Sequence, residues 1–284
     1  MSHWLAFRHR FNKALLNTDA NHIEVMGLNF SNRLGIAAGF DRHGTTGRYL
    51  GYLGFGHAEI GTFTRRAQVG QSSSIDSLTK RSLKQSSTIL GVNIGLNQDV
   101  IAKDIIDDFK YCLEQAWSHA DYITLNLTNP AAKALLAPEH LDNLKQTLCS
   151  LKRKQIQLFQ ESRRYVPLTV KISLSSLELQ IPPIIKLLSE LSFDGVILAI
   201  DSGKSNSANM VRQWLQQEQQ ARSCLLIKHV CNYLDGKVAV ISVGGIRSQE
   251  HVQQRIAAGA SLVQVHTGLI YNAPELILNN VIKG

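Results

Sequence analysis

Val238-Ala239-Val240-Ile241-Ser242-Val243-Gly244-Gly245-Ile246-Arg247-Ser248 is a β-branched, mostly apolar run that meets two glycines and then a polar stretch. It reads as a buried strand turning directly into a helix. One unit later, Leu262-Val263-Gln264-Val265 gives way to His266-Thr267-Gly268 in the same manner. Glycines at such turns leave backbone N–H groups open to close approach by an anion, and a helix N-terminus adds partial positive charge. Either turn alone reads equally well as a tight connection. Two of them in successive strand–helix units point to a phosphate site at Gly244, Gly245, Thr267 and Gly268.

Working outward, the same alternation covers most of the chain. Strands are predicted at Leu34-Ala38, His57-Gly61, Ile89-Ile94, Tyr122-Asn126, Leu168-Ile172, Gly195-Ile200, Val238-Val243 and Leu262-Val265. Between them, helical patterns fall near Thr45-Tyr52, Ser74-Gln85, Val100-Ser118, His140-Arg164, Pro183-Leu191, Met210-Tyr233 and Gln249-Ala258, with a last one from Pro274 onward. A doubly wound open sheet alternates similarly, but eight units in strict order favour a closed (β/α)₈ TIM barrel. Chemistry in such a barrel sits where strands end. That directs attention to Ala38-Gly39, Thr62, Asn93, Asn126, Lys171 and Gly244-Gly245.

The 284 residues fit a single barrel domain over 25–284, preceded by a helical extension over 1–24. Within residues 4–16, apolar Trp4, Leu5, Phe7, Phe11, Leu15 and Leu16 are interleaved with Arg8, Arg10 and Lys13. Such a segment either lies on a membrane surface as a peripheral contact or caps the bottom of a barrel. The net charge of +8 favours anionic partners, but its basic clusters are scattered and carry no RNA-binding signature, so nucleic acid is not the expected partner. Four cysteines without CxxC pairing, and no secretory signal, suit a reduced cytoplasmic setting without metal.

With these residues in view, the chain resembles the dihydroorotate dehydrogenases, more their quinone-linked class than the soluble one. The resemblance rests on Asn32-Arg33-Leu34-Gly35-Ile36-Ala37-Ala38-Gly39-Phe40-Asp41, Gly54-Phe55-Gly56-His57-Ala58-Glu59-Ile60-Gly61-Thr62 and Val92-Asn93-Ile94-Gly95. It continues through Val170-Lys171-Ile172, Asp194-Gly195-Val196-Ile197 and Ala258-Gly259-Ala260-Ser261-Leu262-Val263-Gln264. It implies an FMN oxidoreductase. Ala38 and Gly39 would pass close to the flavin ring, with Thr62, Asn93 and Asn126 at its polar edge. Lys171 would place a positive charge near N1–C2, and the two glycine turns would hold the phosphate.

The same comparison exposes departures. The catalytic serine or cysteine of the family falls on Asn129, whose amide cannot act as a general base near neutral pH. Thr128 next to it is expected to face away, as a strand neighbour would. Ala131 and Ile200-Asp201-Ser202 stand where orotate-binding asparagines are implied, and only thirty residues lie between Thr62 and Asn93, where a closing segment is implied. A polar helix around Ser205-Gln213 replaces an implied glycine-rich turn. Arg42, His43 and Asp201 are candidates to line the vacated space, or they are ordinary loop residues. Three readings follow: an FMN oxidoreductase with altered substrate or impaired dihydroorotate oxidation, a divergent dihydroorotate dehydrogenase of pyrimidine biosynthesis, and a non-catalytic flavin-binding or flavin-free interaction subunit.

Overall fold

The computed structural model describes residues 22–70, 72–79, 88–177, 179–201 and 217–266. It opens on a short antiparallel hairpin, β1 (Ile23–Val25) and β2 (Leu28–Phe30). The strands that follow are β3 (Leu34–Asp41), β4 (His57–Thr64), the two-residue β5 (Ser73–Ser74), β6 (Ile89–Ile94), β7 (Tyr122–Asn126) and β8 (Leu168–Ser175). β9 (Gly195–Asp201), β10 (Ala239–Val243) and β11 (Leu262–Val265) complete the set. Eight strands are parallel in the order β3-β11-β10-β9-β8-β7-β6-β4, and β4 pairs back to β3. The sheet is therefore closed, as the count of strand–helix units led us to expect.

The longer helices are α1 (Ile105–Ala116), α2 (Leu141–Ser162), α3 (Pro183–Glu190), α4 (Gln217–Leu234) and α5 (Gln249–Ala257). Their apolar stripes, such as Leu144, Leu148, Leu151 and Leu158 of α2, pack against the outward faces of the strands in one core. The barrel interior is divided. Ala37, Ile197, Ile241 and Leu262 make an apolar half, on which Val25 and Phe30 of the hairpin close the N-terminal end. Thus Ile23-Glu24, placed by sequence at the end of a helical extension, begin a strand instead. The stretch around Thr45-Tyr52 is a 3₁₀ helix over Gly47–Leu53 rather than α, stopped by left-handed Gly54. The segment from residue 4 to 16, the polar run 205–213, Thr267, Gly268 and the helix from Pro274 lie outside the described residues.

His57, at the start of β4, is completely buried against the edge of Phe30, with both ring nitrogens unpartnered. It needs Gly35 opposite, because a Cβ there would sit 2.2 Å from the imidazole. Burial lowers its pKa from 6.5 to about 3. Above pH 6.5 the ring is neutral in folded and unfolded chains alike. Below it the unfolded chain takes up a proton that the folded chain refuses until about pH 3, so stability falls with pH across that window. His57→Leu should flatten this dependence, by an amount on the order of several kcal/mol at the acid end. Urea unfolding of both proteins between those pH values checks it, and parallel curves would refute it.

Candidate active site

The other half of the barrel interior is polar and converges on its C-terminal mouth. Glu59 of β4 is fully buried and has no cationic partner among the described residues. Instead it accepts from Asn93 Nδ2 at 2.8 Å, Thr124 Oγ1 at 3.0 Å, and Tyr122 OH and Gln264 Nε2 at 3.3 Å. One carboxylate thus meets four donors. They fix the direction of the bonds above it. Because Asn93 turns its Nδ2 down to Glu59, its Oδ1 faces the mouth and accepts from Thr62 Oγ1 at 2.7 Å and Asn126 Nδ2 at 3.1 Å. Asn126 also donates to Thr62 Oγ1 at 3.0 Å. Burial beside Glu59 holds the Tyr122 phenol well above its ordinary range, so it stays a donor.

Lys171 of β8 lies in register with Asn126 and is 9 % exposed, yet its ammonium makes no hydrogen bond or ion pair among the described residues. A nearly buried cation without an anion is costly and marks a place where one is expected. Its field reaches His266, just past β11, together with that of Arg42. Burial lowers the His266 pKa most, the two cations push the same way, and a bond to the Gly39 backbone opposes them. Gly39 itself has φ of +100°, where β3 breaks register against β4, and its missing Cβ would meet His266 Nε2 at 3.4 Å. The main chain can approach a ligand closely there.

The structure brings Thr62, Asn93 and Asn126 together, with Lys171 in register beside Asn126 and Ala38 and Gly39 on β3 across the closure of the barrel. At the opposite rim, Gly244 and Gly245 carry φ of +105° and +69°. A Cβ on Gly244 would lie 2.3 Å from the Ile200 carbonyl oxygen, so close packing onto β9 alone demands glycine there. Gly244→Ala should lower stability by about 3 kcal/mol through combined clash and backbone strain. A thermal melt within a degree of wild type would contradict this. Ser248 then caps α5, accepting from His251 N at 3.2 Å.

Asn129 has both amide ends occupied. Its Oδ1 caps the short helix Pro130–Lys133 by accepting from Ala132 N at 2.9 Å, and its Nδ2 donates to the Leu96 carbonyl at 2.7 Å. Thr128, expected to face away as part of a strand, is outside β7 and turns back. Its N and Oγ1 donate to Asn126 Oδ1 at 2.9 and 2.7 Å. Arg42 is exposed, with long bonds of 3.4 Å to the Gly39 and Gly70 carbonyls. His43 is bonded to Ser73 Oγ at 2.6 Å on the rim. Asp201 is the last residue of β9, in register with Ser175. Among the described residues no group of histidines, cysteines and acids could hold a metal, and no helix is long and apolar enough to cross a membrane.

Sequence reasoning passed over Glu59, Tyr122, Gln264 and His266. A charged residue inside a strand otherwise buried on both faces was the available signal for Glu59.

A closed parallel barrel with polar side chains gathered toward its C-terminal mouth is the frame in which the family can be read. The profile of the family named dihydroorotate dehydrogenase matches residues 71–284. Dihydroorotate dehydrogenase (quinone) of Methylobacillus flagellatus is 36% identical over 89% of this chain and 84% of its own. Its counterpart from Idiomarina loihiensis is 35% identical over 92% and 86%. The crystal structure of the Eimeria tenella dihydroorotate dehydrogenase with ferulenol superposes with a TM-score of 0.77 over 98% of this chain and 89% of that one, at 24% identity, and speaks for the fold. The chain belongs to the dihydroorotate dehydrogenase family, and its relatives are of the quinone-linked class. By family it is a dihydroorotate dehydrogenase-like oxidoreductase, and members of that family are flavoproteins.

Proposed function

We propose that this protein is an FMN-dependent oxidoreductase whose mouth has kept the cofactor's residues and lost the means to oxidise dihydroorotate efficiently. The observation that carries the first half is Lys171, a largely buried side chain whose ammonium has no partner among the described residues, in register with Asn126 of the Thr62–Asn93–Asn126 cluster. These residues fit a flavin: the cation matches charge gathering at the ring's N1–C2 edge, and the amides match its polar edge. Gly39 leaves room for the ring, while Gly244 and Gly245, together with Thr267 and Gly268, would hold the phosphate. FMN, when bound, supplies hydride acceptance and onward electron transfer.

Asn129 carries the second half. Its amide is consumed by a helix cap and a backbone carbonyl, so it neither takes a proton nor is free to orient a water that would. With Ala131 and Asp201 at the other implied orotate positions, the space above the ring suits a different substrate, for which Arg42 and His43 stand at the rim. The relatives' names favour a quinone as acceptor. The test is to purify the protein with FMN, reduce it photochemically and mix it with a short-chain quinone or with oxygen. Rapid quinone-dependent reoxidation supports an oxidoreductase. A loaded protein that neither acceptor reoxidises contradicts it and favours the interaction-subunit reading.

A further inference from the structure

Arg255 lies on α5 and is completely buried. Its Nη2 donates to Gln220 Oε1 at 2.8 Å, whereas Nε and Nη1 have no partner. No carboxylate pairs with it among the described residues. Burial brings its pKa down to about 10, which still leaves it charged at neutral pH. An isolated buried guanidinium is one of the more expensive groups a fold can keep, and replacing such a charge by an apolar side chain commonly stabilises a protein. Packing does not account for it, since a methionine would fill similar space.

Its surroundings supply a reason. Long side chains on a helix lean back toward the N-terminus, which carries this guanidinium from the second turn of α5 toward the helix start. There Gln220, which accepts from Arg255, donates its Nε2 to the Gly245 carbonyl at 2.6 Å. His251, one turn earlier on α5, is bonded to the Gly245 backbone and feels the Arg255 charge. The chain Arg255–Gln220–Gly245 thus ends on the carbonyl of the second glycine in the turn opening α5.

We propose that Arg255 is a positioning residue for the phosphate of the flavin: a buried, deliberately unpaired cation behind the Gly244–Gly245 turn, which fixes the turn through Gln220 and adds positive potential to it. This rests on the FMN reading above. The counter-charge missing in the protein is then the ligand's own phosphate, felt across the turn rather than touched.

Riboflavin, which has the same ring without the phosphate, separates this role from general support of the fold. Flavin-free protein is titrated with FMN and with riboflavin, following flavin fluorescence, for wild type, Arg255→Met and Arg255→Lys. Wild type should prefer FMN. Arg255→Met should lose about tenfold of that preference, as expected for one charge removed at several ångströms in a partly screened site, with riboflavin affinity unchanged. Arg255→Lys, which keeps the charge in the same cavity and guards against a methionine variant that fails to fold, should retain most of the preference. FMN and riboflavin weakening in step, a preference untouched by Arg255→Met, or a lysine variant as poor as the methionine one would each overturn the proposal. Wild type binding neither flavin would instead bring down the cofactor reading itself, and this inference with it, in a way visible before any variant is made.

Discussion

Offered dihydroorotate and a short-chain quinone, the purified FMN-loaded protein is expected to turn over at least about a hundredfold more slowly than the Methylobacillus flagellatus relative assayed beside it. Positioned general bases contribute roughly 10²–10⁴-fold, and Asn129 has no basic lone pair to offer. Its amide is also held on both sides, by Ala132 N and the Leu96 carbonyl, so it cannot swing to recruit a water. Asn129→Ser should recover only part of the deficit, because Ala131 and Asp201 still leave the substrate's polar groups unmatched. The same variant keeps the cap but abandons the Leu96 carbonyl, at a cost of about 1 kcal/mol in urea unfolding. Steady-state rates equal to the relative's would end the claim of impaired oxidation.

Lys171→Met should move stability and cofactor properties in opposite directions. In flavin-free protein the Lys171 side chain is largely buried and its ammonium has no partner among the described residues, so an apolar replacement of similar length should stabilise the fold by about 1 kcal/mol. With FMN bound, the same change would remove the positive charge that the proposed reading sets beside the ring's N1–C2 region. The two-electron midpoint should then fall by roughly 30–60 mV, about 1.4–2.8 kcal/mol for this couple. Thermal melts of flavin-free protein and redox titration of loaded protein read the two effects separately. A potential equal to wild type would show that Lys171 is an ordinary barrel-mouth lysine.

Legibility in the sequence followed local physical signals. β6, β7 and β11 have the predicted bounds because each apolar run is cut sharply at both ends. β3, β4 and β8 run further than predicted, since polar residues such as Ser173 and Ser175 continue the ladder once a neighbouring strand is present. The β1–β2 hairpin was hidden. Its strands are three residues long and its turn places Met26 as well as Gly27 at positive φ, a conformation in which methionine gives no warning. The mouth residues were legible because strand ends in a barrel are where function collects. The interior network was not, because strands covered on both faces lack the alternation that would tell Glu59, Tyr122 and Gln264 from their outward neighbours. Likewise Asn129 could be seen as a missing base but not as an amide tied down on both sides, because its Nδ2 donates to the Leu96 carbonyl of a different strand–helix unit.

Equilibrium titration of flavin-free protein with FMN tests the central claim most directly. Saturable quenching of flavin fluorescence at one FMN per chain, accompanied by a rise in melting temperature, is the predicted result. No quenching and no thermal shift at any FMN concentration, from protein that is folded by circular dichroism, would contradict the account.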